Sequence, residues 1–121
     1  MTTEEIKKAY DELLVSVEEK AKALSVKRNI EVHGYVITIE QTEEKQDYAV
    51  IFYEEPKRAT KLRVADKLIV APVSAGEILL QACLIKEESD PRIATNDVLY
   101  LTLCNQITES IQTYTTVVKK N

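Results

Sequence analysis

Histidine occurs once in this chain, at His33, and cysteine twice, at Cys83 and Cys104. A general base works only with a nucleophile or a carboxylate held within hydrogen-bond reach. Any Ser-His or Cys-His pair here must recruit His33, with Ser16, Cys83 and Cys104 as candidate nucleophiles. No spacing in the sequence ties them together, so His33 reads as a strand surface residue and the expected set of catalytic residues is empty. Two cysteines and one histidine also fall short of the four ligands of a structural zinc site unless another subunit contributes. The expectation is therefore no metal and no cofactor. With Gly34 and Gly76 as the only glycines, there is no GxxxxGK[ST] or GxGxxG segment to cradle phosphate through backbone N–H groups. Glu87, Glu88 and Asp90 could gather a divalent cation, but they lack the ordered oxygen ligands of a calcium loop and read as a solvated helix end. Arg58 and Arg92 could anchor a partner carboxylate and read as exposed, unpaired arginines. Tyr35, Tyr48, Phe52 and Tyr53 could stack on bases, yet their flanking charge is negative, the wrong sign for a nucleic-acid groove. The chain is expected not to be an enzyme, and to act by binding.

Charge narrows the class of partner. Sixteen basic and twenty acidic residues give a net charge of −4, which argues against a general nucleic-acid binder. The charge is segregated. From Glu40 to Glu55 there are six acids (Glu40, Glu43, Glu44, Asp47, Glu54, Glu55) and one base (Lys45). From Lys57 to Lys67 there are five bases (Lys57, Arg58, Lys61, Arg63, Lys67) and one acid (Asp66). These blocks read either as solvated faces that partly neutralise each other or as a polar interface. No segment of 18 apolar residues is present, so no membrane association is expected. The N-terminus lacks a basic region followed by an apolar stretch, and two buried free thiols suit a reducing cytoplasm.

The elements that must position these residues follow from periodicity. At 121 residues the chain is expected to form a single domain, 1–121. Ile6, Tyr10, Leu13, Leu14, Val17, Ala21 and Leu24 recur at steps of three and four, which predicts a helix from about Thr3 to Ser25 with Thr2 and Glu5 as a capping box. Val, Ile, Tyr and Thr then dominate Ile30 to Gln41 and Asp47 to Glu55, a β-hairpin around a polar turn. Both strands are apolar on both faces. Helices are expected over one face, and another subunit over the other. Pro56 should open a helix through Ala59, Leu62, Ala65, Leu68 and Ile69 that Pro72 ends, with a third strand at Leu68 to Val70 as the rival. Ser74 and Glu77 should cap a buried helix through Ile85, and Asn96 should cap a last one marked by Leu103, Ile107, Ile111, Tyr114 and Val118. The fold class is α+β: a long N-terminal helix, a two-stranded antiparallel hairpin, then three mainly apolar-faced helices. Its core should centre on Leu13, Leu14, Val17, Ile78, Leu79, Ala82, Leu103, Ile107 and Ile111.

Phe52-Tyr53-Glu54-Glu55-Pro56-Lys57-Arg58, then a helix with Lys67 and Leu68, then Ala75-Gly76-Glu77-Ile78-Leu79-Leu80-Gln81-Ala82-Cys83-Leu84-Ile85, then Ser89-Asp90-Pro91-Arg92-Ile93 and Asn96-Asp97 follow one another in order. Over roughly residues 48 to 104 this resembles small proteins of tailed bacteriophages, particularly the tail-assembly chaperone type. The long first helix and the β-branched run Tyr114-Thr115-Thr116-Val117-Val118 have no counterpart in that pattern. The resemblance implies a non-enzymatic phage assembly or virion-associated protein that binds phage structural proteins, itself as a homo-oligomer, or both. It would act in the host cytoplasm during assembly or in the virion. A small inhibitor that binds a host factor through the acidic hairpin is the alternative. The expected partner-binding residues are Tyr35, Ile37, Ile39, Ile51 and Tyr53 on the hairpin and Arg58, Lys61 and Arg63 on the basic helix, because strands apolar on both faces should leave apolar surface uncovered.

Overall fold

The protein is described by a computed structural model over residues 1–111; the expected positions Tyr114 and Val118 lie outside the described residues. Helix α1 spans Thr3–Arg28, strand β1 Val32–Gln41 and strand β2 Gln46–Glu54. Helices α2 (Arg58–Val64), α3 (Lys67–Val70) and α4 (Pro72–Cys83) follow, then 3-10 turns at Lys86–Glu88 and Pro91–Ala94, and helix α5 (Asp97–Glu109). This is the α+β class the sequence implies.

The Thr2 hydroxyl accepts from the Glu5 N–H at 3.2 Å and the Glu5 carboxylate accepts from the Thr2 N–H at 3.4 Å, closing the expected capping box. Helix α1 ends at Asn29, whose φ of 55° is the left-handed turn a short polar side chain tolerates. Strands β1 and β2 pair antiparallel, Val32 with Glu54 through Gln41 with Gln46, and the register shifts once between Thr38 and Glu40.

The hairpin is the middle layer of a three-layer sandwich. On one face Val32 and Phe52 pack with Val17, Ala21 and Leu24 of α1. On the other, Ala49, Ile51 and Tyr53 pack with Val64, Ala75, Leu79, Leu103, Cys104 and Ile107 of α2, α4 and α5. Cover by another subunit is thus not what these strands need: the chain supplies a helical layer on each side. A large apolar side chain buried this way contributes about 1.5–3 kcal/mol. The outer edge of β2 is closed as well. Ile85 N–H donates to the Phe52 carbonyl and Asp90 N–H to that of Val50, both at 2.9 Å, while the Ser89 hydroxyl accepts from the Phe52 N–H at 2.9 Å.

Several local expectations are corrected. The single helix expected after Pro56 is two short ones: Pro56 precedes the N-cap Lys57, and the periodicity breaks at Ala65 and Asp66. The buried residue of this segment is Val64, whereas Leu62 and Ile69 are exposed. Leu68 to Val70 is helical, not a strand. Pro72 opens α4 rather than ending its predecessor, so Ser74 and Glu77 lie inside the helix and form no capping box. In the core, Val17, Leu79, Leu103 and Ile107 are buried, Leu13, Ile78 and Ile111 lie half-buried at its margin, and Leu14 and Ala82 are exposed. Asn96 caps α5, its side-chain oxygen accepting from the Leu99 N–H at 3.1 Å. Helices α4 and α5 touch at Gly76, where a Cβ would stand 2.5 Å from the Cys104 carbonyl oxygen.

Candidate interaction surface

The structure divides the expected partner-binding residues into two groups. Ile51 and Tyr53 are fully buried, so the expectation of apolar surface there is corrected: the α4–α5 layer covers them. The Tyr53 hydroxyl donates to the Tyr35 hydroxyl at 2.8 Å, and burial pushes the Tyr53 phenol far above its usual range. Tyr35 and Ile37 are half-buried against the same core, and Ile39 alone of the five hairpin residues is exposed. On the helical side Arg58 and Arg63 are exposed and, among the described residues, enter no ion pair. Lys61 is half-buried, with its Nζ 2.8 Å from Glu55 Oε1.

Apolar surface emerges instead on α2 and α3. Leu62 is 63% exposed, Ile69 91% and Val70 81%, and Val73 at the start of α4 is also exposed. They share this segment of the chain with Arg58 and Arg63, both exposed, and with Lys67, which is half-buried. Sequence reasoning missed these residues because it extended one helical period through both helices and assigned Leu62 and Ile69 to the buried face. The signal was present: Leu68-Ile69-Val70 is a run of three apolar residues, and no helix of four residues can bury all of them.

The acidic residues of the turn after α4 are engaged. Lys20 and Arg28 of α1 reach Glu88 at 2.8 Å and Glu87 at 2.6 Å, and Arg28 also meets Glu54 at 3.2 Å. The hydrogen bond from Lys20 holds Glu88 below the usual carboxylate range. Arg92, expected to be unpaired, bonds Asp90 and Asp47 at 2.8 Å each and the Tyr48 carbonyl at 3.2 Å. Its hydrogen bonds hold both carboxyls below their usual range. Glu87, Glu88 and Asp90 are therefore each paired with a cation, while Glu87 keeps most of its side chain in solvent as a solvated end would. The acidic and basic blocks meet in one ion pair among the described residues, Glu55 with Lys61.

His33 is half-buried in β1, and its Nε2 lies 2.5 Å from Glu55 Oε2, a carboxylate the sequence offers no spacing to find. Lys61 and His33 lower Glu55 more than its burial raises it, leaving the carboxyl below its usual range. Glu31, His33 and Glu55 present ligand atoms within 4.8 Å of one another, the set among the described residues that could hold a metal. Sequence reasoning overlooked it by weighing cysteine and histidine for zinc and Glu87, Glu88 and Asp90 for a cation, without joining a histidine to carboxylates distant in the chain. Both thiols are buried, and burial pushes Cys83 up to about 11 and also raises Cys104, so neither is a ready nucleophile at neutral pH. Among the described residues no helix is long and apolar enough to cross a membrane. Comparison of the chain with family models, curated proteins and solved structures finds no match.

Proposed function

We propose that this chain works as a non-enzymatic binding protein whose α2–α3 surface docks on another protein, and that its setting is tailed-phage assembly or the virion itself. The observation that carries the reading is the exposure of Leu62, Ile69 and Val70 beside Arg58, Arg63 and Lys67. An apolar centre with a polar rim is the anatomy of a protein interface. Cations on that rim favour an acidic partner and speed encounter more than they add affinity. The phage setting rests on the ordered segments from Phe52 to Asp97 that resemble tail-assembly chaperones; the partner in that setting is a phage structural protein, a second copy of the chain, or both.

Mass spectrometry of purified virions separates a retained component from a transient assembly factor. Co-expression with individual virion structural proteins then tests the surface. The full chain is expected to co-purify with one of them, and Ile69→Asp with Val70→Asp should abolish this while leaving the far-ultraviolet circular dichroism unchanged. Equal recovery by the folded double variant would overturn the assignment of this surface.

A further inference from the structure

We propose that Glu31, His33 and Glu55 form a binding site for one divalent transition-metal ion of the zinc class. The pairing register puts the three on one face of the hairpin. Val32 opposes Glu54 and His33 opposes Tyr53, and the Glu55 N–H donates to the Glu31 carbonyl at 2.8 Å, so Glu31 and Glu55 face each other one step beyond the ladder. Residues two apart on a strand share a face, which adds His33 to Glu31.

The ligand atoms lie within 4.8 Å of one another, and His33 Nε2 is 2.5 Å from Glu55 Oε2. Ligand bonds of about 2.0–2.2 Å in a tetrahedral zinc site put donor atoms roughly 3.3 Å apart. The exposed Glu31 side chain can swing to that spacing, and an ion entering between His33 and Glu55 replaces their hydrogen bond. The pair is already braced. The His33 ring lies 5.1 Å from the Tyr53 ring, centre to centre, and Lys61 holds Glu55 through its other oxygen, Oε1, leaving Oε2 turned to the imidazole. One imidazole and two carboxylates make a donor set of mixed nitrogen and oxygen that suits zinc, manganese or iron better than calcium or magnesium, which prefer oxygen alone. Three protein ligands leave a fourth position for water or for a side chain of a bound partner.

His33 is the only histidine, so its imidazole resonances report this site without interference. The full chain is titrated with zinc chloride and followed by NMR of the imidazole and by calorimetry. Saturation at one zinc per chain with displacement of the His33 resonances is expected, and His33→Gln and Glu55→Gln should each weaken binding at least tenfold. Glu31→Gln, at an exposed position, tests the third ligand without threatening the fold and should weaken binding too. Unmoved His33 resonances, wild-type affinity in His33→Gln or in Glu31→Gln, or an equal response to magnesium chloride would overturn the proposal.

Discussion

Gly76 shows how much a single atom can decide. Alanine favours a helix over glycine by about 1 kcal/mol, so Gly76→Ala in α4 would stabilise an isolated helix. Here the added Cβ would stand 2.5 Å from the Cys104 carbonyl oxygen and 2.7 Å from its Cα. Backbone atoms of a packed helix cannot step aside, so α4 and α5 must separate. Gly76→Ala is expected to destabilise the fold by about 1–3 kcal/mol, the usual range for an overfilled core, and urea denaturation reads it directly. Leu79, buried in the same layer, is the opposite case. Leu79→Ala leaves a void between the hairpin and the helices, and should cost about 2–5 kcal/mol. A loss below about 1 kcal/mol would mean that α4 can collapse into the space.

Between elements, Arg92 does what neither strand nor helix can do alone. It clasps the start of β2, through Asp47 and the Tyr48 carbonyl, to the turn that carries Asp90. The carboxyls of Asp47 and Asp90 both sit below their usual range because Arg92 bonds their charged forms. A depressed carboxylate contributes stability that is complete above its unfolded-state value, about pH 4, and is lost as pH falls through the lower folded-state value. Arg92→Gln should therefore lower the melting temperature near neutral pH and give a shallower loss of stability on acidification below about pH 4 than the wild type shows. Parallel acid limbs in the two proteins would mean that the clasp does not set the acid response.

At the scale of the whole molecule, the division of labour lies between a hairpin enclosed by helices and a helical segment that is not. Tyr53 and Ile51 are interior residues, and Leu62, Ile69 and Val70 of α2 and α3 are among the apolar groups offered to solvent, as are Val26 at the end of α1 and Val98 in α5. Reversal of Arg58, Lys61 and Arg63 to Glu is expected to slow association with the proposed protein partner and weaken its dependence on salt, because charges at the edge of such an interface would act mainly through encounter. Lys61→Glu also sets a carboxylate against Glu55. The pair Arg58→Glu and Arg63→Glu, which touches no ion pair among the described residues, should carry most of the kinetic effect. Stopped-flow or surface-plasmon association rates at two salt concentrations test this; rates unchanged in the double variant would take the cationic rim out of the mechanism.

Local patterns by themselves determined the long helix α1 with its Thr2–Glu5 box, both strands to within two residues at each end, the Asn96 cap and the buried helix containing Leu79. Each depends on residues a few positions apart, so the spacing in the chain is also the spacing in space. Tertiary structure decided what lies against what. Phe52 faces α1 and Tyr53 faces α4 and α5, but alternation along a strand says only that the two differ. Arg92 finds Asp47 across 45 residues and His33 finds Glu55 across 22, separations over which sequence carries no geometry. The exposed α2–α3 segment belongs to the same class, because whether Leu62 and Ile69 are covered depends on where the breaks at Ala65 and Pro72 turn the helices relative to the core, and that direction is fixed by packing rather than by any local preference.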